Sequence, residues 1–137
     1  GGVIMKKLFY PAIFQDEENE AFSVFFPDIN GCNTFGESID EAYEMAFDAL
    51  GIMLSYMEDN NMTIPKPSKP QDIVLEKNQF IVIIEFDMLA YKKKHSSQAV
   101  KKTLSIPSWL NDMAIEKNIN FSQTLQDALI DKLDIRL

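Results

Sequence analysis

One stretch narrows the possible folds more than any other: residues 26–41, FPDINGCNTFGESIDE. It holds a Pro-Asp turn, an Asn-Gly turn, a short β-type run at 32–35 and a second glycine, Gly36. It closes on Ser38-Ile39-Asp40-Glu41, the pattern of a capping box. In that motif the Ser hydroxyl accepts the N–H three residues on, while the Glu reaches back to the cap's own N–H. A chain carrying this junction must place strands before it and a helix after it.

The flanks agree. Residues 5–14 (MKKLFYPAIF) and 21–26 (AFSVFF) read as two strands of a hairpin around the polar turn 16–20, with Pro11 limiting how centrally the first strand pairs. From about Ile39 to Glu58 the residues Ala42, Met45, Ala46, Ala49, Leu50, Met53, Leu54 and Met57 recur at helical spacing. A methionine-rich stripe suits either a core-facing helix or an adaptable groove, and the core is the plainer reading. Asn60-Asn61 ends the helix. Prolines 65, 67 and 70 then hold residues 64–70 extended. Residues 80–86 (FIVIIEF) form a continuous β-branched and aromatic run, the pattern of a strand buried on both faces. The front of the chain is therefore expected to be β-β-β-α-β, an α+β layer of one sheet and one helix.

A different logic governs the end of the chain. Residues 92–100 (KKKHSSQAV) read as a basic linker containing His95, a solvated tether first and a supporting phosphate contact second. Residues 101–106 (KKTLSI) alternate, with Leu104 and Ile106 on one face and Lys101, Thr103 and Ser105 on the other. Pro107 stops that run and is placed to start a helix, to which Trp109, Leu110, Met113 and Ala114 give an apolar face. Asn120, with Gln123 as reciprocal partner, caps a second helix lined by Leu125, Ala128, Leu129 and Leu133. One strand and two short helices are too little to bury a core alone. Both deficits vanish if two chains pair their strands and interlock their helices. The expected organisation is a front domain over 5–91, a linker over 92–100 and a dimerising module over 101–137.

Charge divides the chain the same way. Residues 1–67 carry 3 Lys/Arg against 12 Asp/Glu, residues 68–91 carry 2 against 4, and residues 92–137 carry 8 against 5. An acidic front and a basic back suit partners of opposite charge, although acidic surface also serves solubility alone. The single Cys32 and single His95 provide neither a disulfide framework nor a zinc set, so Cys32 is expected to be a small buried hydrophobe in a reducing compartment. No apolar run reaches the ~18 residues of a membrane helix and no signal peptide is read, so a cytoplasmic location is expected. The residues ahead of Met5 read as an appended remnant.

Residues 101–137 resemble the ribbon-helix-helix DNA-binding module. The resemblance implies that Lys101, Thr103 and Ser105 read bases from a paired ribbon in the major groove. It also implies that Asn120, Phe121 and Ser122, at the start of the second helix, meet a phosphate. Asn-Ile stands before the cap where the family commonly has Gly, and Phe121 stands where a basic residue is frequent. A helix-turn-helix tail fits less well, since residues 101–106 read as strand. The front resembles the HicB antitoxin family over residues 7–68. The resemblance rests on a tyrosine-bearing first strand, Phe26-Pro-Asp-Ile-x-Gly-Cys32, Thr34, Gly36, the Asp40-Glu41-Ala42 helix start and Ile64-Pro-x-Pro-Ser68. That combination implies a partial RNase H-like fold and a HicA-type toxin, a small basic mRNA interferase, as partner.

A nuclease of RNase H type needs acids converging on divalent metals, beginning with one on the first strand. Residues 5–14 carry none. Asp28 belongs to a turn, Glu41 to the cap and Asp87 to the end of the last strand. The fold is therefore expected to be an emptied scaffold, with no catalytic residue, metal or cofactor. Its carboxylates, Asp28, Glu37, Asp40 and Glu44, are expected to face the basic toxin. The tail is expected to form a homodimer, open to higher oligomers, on operator DNA and so to repress its own operon. Two rival classes are a stand-alone ribbon-helix-helix regulator with a ligand-sensing front and a metal-dependent RNase H-like nuclease.

Overall fold

The computed structural model describes residues 7–135, so Met5 and Lys6 of the expected first strand lie outside the described residues. The chain divides into two compact units, Gly1–Gln98 and Ala99–Leu137.

In the first unit four strands, β1 (Leu8–Asp16), β2 (Phe22–Phe25), β3 (Asn33–Gly36) and β4 (Gln79–Phe86), form an antiparallel sheet in the order β3-β2-β1-β4. The long helix α1 (Ile39–Asp59) covers one face. Period-2 alternation sends Tyr10, Ala12 and Phe14 of β1, Val24 of β2, and Ile84 and Phe86 of β4 to that face. There they meet Ala42, Ala46, Leu50 and Leu54, the buried stripe of α1. Rings of Phe14, Phe22 and Phe80 pack together with centroids 5.8–6.1 Å apart.

Two expectations about this sheet are corrected. Pro11 does not keep β1 from the centre: β1 lies between β2 and β4. Proline is tolerated there because β2 pairs only with Ile13–Asp16, so at Pro11 the strand has a partner on the β4 side alone. Nor is β4 buried on both faces. It is an edge strand, with Ile84 and Phe86 buried but Ile83 and Glu85 exposed.

The junction after β3 forms largely as its residues dictate. Ser38 caps α1 by accepting the N–H of Glu41 at 3.1 Å. Glu41 reaches back one residue further than expected and accepts the N–H of Glu37 at 3.2 Å. Gly36 is required by packing: a Cβ there would stand 2.3 Å from the backbone nitrogen of Ala42, where β3 closes on the start of α1.

A second helix, α2 (Met88–His95), follows β4 directly. Residues 92–95, expected to be linker, are its last turn. Asp87 caps it, its carboxylate accepting the N–H groups of Leu89 at 3.0 Å and Ala90 at 3.3 Å. Tyr91 then lies against Gly51 of α1, its ring tilted against those of Phe47 and Phe86.

The second unit holds α3 (Ser108–Glu116) and α4 (Phe121–Lys132). Residues 101–107 are not helical and pair with no strand among the described residues. Among its described residues none is buried. The expected inner face of α3 is open, with Trp109 63% and Met113 57% exposed. No helix among the described residues is long and apolar enough to cross a membrane.

Candidate partner-binding surfaces

The acids singled out in the front unit have different fates. Asp28 is only half exposed, and its carboxylate is engaged: it accepts from the Ser68 backbone N–H at 3.0 Å and from the Ser68 hydroxyl. Beside it the Tyr10 hydroxyl donates to the Pro65 carbonyl at 2.5 Å. Burial, with the Asp28 charge, pushes the Tyr10 phenol up to about 12, so it remains a donor at neutral pH. The Pro-Asp turn, the first-strand tyrosine and the Pro-rich segment are thus three parts of one clamp. It straps residues 64–68 to the sheet, and Asp28 is a structural residue.

Glu37, Asp40 and Glu44 are exposed around the start of α1, where carboxylates also favour the positive end of the helix dipole. None of the three forms an ion pair among the described residues. Asp48, one turn beyond Glu44, is spent on α2. Its carboxylate binds Lys94 at 3.0 and 3.2 Å and His95 at 3.2 Å. Partial burial alone would raise the Asp48 carboxyl, but these two partners outweigh it and hold the group below its ordinary value. Lys92 pairs with Glu58 at 3.5 Å. His95, expected in a tether, is instead held between Asp48 and the Tyr91 ring, whose centroid is 4.5 Å away.

The sheet face opposite α1 was missed by reading residues one at a time. The strand register gathers Phe9, Pro11 and Ile13 of β1, Phe25 of β2, Phe35 of β3, and Ile81 and Ile83 of β4 on that side. Pro11 is fully buried there and Ile13, Phe25 and Ile81 are partly buried, while Phe9 is 52%, Phe35 47% and Ile83 41% exposed. The signal was present in the apolar character of both alternating sets in β1 and β4.

Cys32 is buried, and burial pushes its thiol up to about 11, which keeps it protonated and unreactive at neutral pH. Among the described residues no three of His, Cys, Asp and Glu converge so as to hold a metal ion. Of the acids considered for metal binding, Asp28 holds Ser68, Glu41 holds the Glu37 N–H and Asp87 caps α2.

In the second unit Lys101, Thr103 and Ser105 are exposed on the unpaired segment. Asn120 caps α4, its side-chain oxygen accepting the Gln123 N–H at 3.0 Å. The reciprocal bond expected of Gln123 is not made; its side-chain amide donates to Asp127 at 2.9 Å. Phe121 and Ser122 are exposed in the first turn, the Ser122 hydroxyl accepting from Gln126 at 3.3 Å.

A family profile described as the HicB-like antitoxin of bacterial toxin–antitoxin systems matches residues 10–133. A curated relative, "Antitoxin HicB 1" of Photorhabdus laumondii, is 38% identical over 64 residues. That stretch is 47% of this chain and 41% of the relative, so the match spans under half of the relative's length. Among solved structures, a toxin–antitoxin complex from Streptococcus pneumoniae superposes with a TM-score of 0.59 at 32% identity, covering 93% of this chain and 99% of the matched one. A chain of a HicA3 and HicB3 toxin–antitoxin complex shares the fold at 21% identity and a TM-score of 0.50. It is covered over 99% of its length by 58% of this chain.

Proposed function

The chain belongs to the HicB-like antitoxin family of toxin–antitoxin systems, and from that premise we propose that it binds and silences a HicA-type mRNA interferase and represses its own operon. The observation that carries this reading is the reach of the family match, residues 10–133, across both units. In this reading the front unit is a partial RNase H-like scaffold whose acids have passed to structural duties. It acts by covering a basic RNA-cleaving partner. Glu37, Asp40 and Glu44 supply exposed negative charge that accelerates encounter, since exposed rim charges act mainly on association rate. Asp28, expected among them, contributes through the fold of the Pro-rich strap.

The second unit is the dimerising and DNA-binding half. Supporting this is its want of a core: Leu110, Leu129 and Leu133 stand 42–65% exposed, and the segment 101–107 has no strand partner among the described residues. A second copy supplies both, pairing the two segments antiparallel as a ribbon and interlocking α3 and α4. Lys101, Thr103 and Ser105 then point into the major groove. The N-terminus of α4, at Asn120, Phe121 and Ser122, meets the phosphate backbone.

The direct test is co-expression with any short basic reading frame that adjoins the gene. The two products are expected to co-purify, and growth arrested by the short gene is expected to resume when this chain is supplied. Continued arrest, with no co-purification, would overturn the reading in favour of a stand-alone regulator.

A further inference from the structure

The open sheet face carries a sharper conclusion about where the toxin sits, and this rests on the toxin-neutralising reading above. Strands about 4.8 Å apart, with β1 and β4 longer than the four-residue β2 and β3, give the face a footprint of roughly 300–400 Å², shared by its apolar side chains with the polar Gln15, Ser23, Asn33 and Gln79. The largest apolar patch on a monomer is ordinarily a few hundred Å² and is often where a partner binds. This face would form the dry centre of an interface whose standard size is about 800 Å² per partner.

The charges around this face point to the chemistry of what covers it. Lys7 and Glu85, opposite Phe9, neutralise each other at 2.9 Å. At the other end Glu17 is drawn over the face by the Gln15 side-chain amide at 2.8 Å and the Ser23 hydroxyl at 3.1 Å. It has no cation partner among the described residues. Asp16, Glu18 and Glu20 share its turn, with Glu76 and Lys77 across at the start of β4. The rim is therefore acidic where it is not already neutralised. We propose that this face, running from Phe9 and Ile83 at one end to Phe35 at the other, is the seat of the toxin, a basic protein presenting an apolar patch with cations toward the β1–β2 turn. The acids at the start of α1 lie across the layer from this seat and act at a distance.

Full-length chain and the co-expressed short basic protein provide the test. The double variant Phe9→Ser with Ile83→Thr changes side chains already about half in water, and Thr retains strand preference. It is expected to weaken toxin binding at least tenfold, chiefly through faster dissociation. Asp40→Asn with Glu44→Gln is expected to slow association less than threefold and to flatten its salt dependence. Hydroxyl-radical footprinting of the unaltered chain, independent of any variant's folding, is expected to show Phe9 and Phe35 protected when toxin is added. Unchanged binding by the double variant, unprotected phenylalanines, or loss of self-association with toxin binding intact would each overturn the seat while leaving neutralisation standing. Failure of the unaltered chain to bind the toxin at all would overturn the neutralising reading and the seat with it.

Discussion

At the scale of single residues, Asp28 shows how a side chain is misassigned when its partner is distant in sequence. As a carboxylate in an exposed-looking Pro-Asp turn it reads as surface charge. In the folded chain it holds Ser68, 40 positions away, through both the backbone N–H and the hydroxyl. Hydrogen bonds to a charged group contribute about 1.5–3 kcal/mol, and losing one partner also strands the other. Asp28→Ala is therefore expected to destabilise the front unit by about 2 kcal/mol. For a unit of this size that lowers the midpoint of thermal unfolding by roughly 10 °C, readable by circular dichroism. Toxin affinity measured well below the new midpoint is expected to stay within about threefold. A large affinity loss in a fully folded variant would return Asp28 to the contact surface. The turn, the cap and the Pro-rich segment were each legible locally. Their connection was not, because no local pattern encodes a bond between segments so far apart.

At the scale of elements, the strands and α1 follow directly from period-2 and helical spacing, and the departures have physical causes. The helix α2 escaped because three consecutive lysines and a histidine mask a short apolar turn, Met88-Leu89-Ala90-Tyr91. The available signal was Asp87, a good cap immediately ahead of that turn. What makes α2 a helix in place is α1: Tyr91 packs over Gly51, and the basic end is matched by Asp48 and Glu58. Lysines in the last turn also complement the helix dipole. Gly51→Ala would put a methyl group 2.0 Å from the Tyr91 ring. The ring must swing out, taking with it the contacts to Phe47, Phe86 and His95. Overpacking of this kind costs about 1–3 kcal/mol, and here it falls on one element. Hydrogen exchange is expected to accelerate over residues 89–96 while the amides joining β1 to β4 keep their protection. Uniform loss across the sheet would mean that α2 is integral to the core.

At the scale of the whole molecule, an acidic sheet-and-helix unit is joined to a basic unit that has no core of its own. The two halves invite separate tests. Both were legible in outline from charge and from the change in hydrophobic pattern near residue 100. The open sheet face was not, because an apolar β4 looks the same whether its second face is covered by its own chain or by a partner. Lys101→Ala with Thr103→Ala removes one cation and one hydroxyl from the segment assigned to the major groove and changes no residue of the front unit. Operator affinity is expected to fall at least tenfold. The slope of log affinity against log salt should drop by about one, the signature of a single lost phosphate contact. Each lost base contact adds about 1–3 kcal/mol of discrimination, so preference for operator over random duplex should shrink as well. Toxin neutralisation, measured as growth rescue by the same variant, is expected to match the unaltered chain. Retained operator binding would remove the extended segment from the DNA interface. Lost neutralisation with DNA binding intact would mean that the toxin, not the operator, is held by the tail.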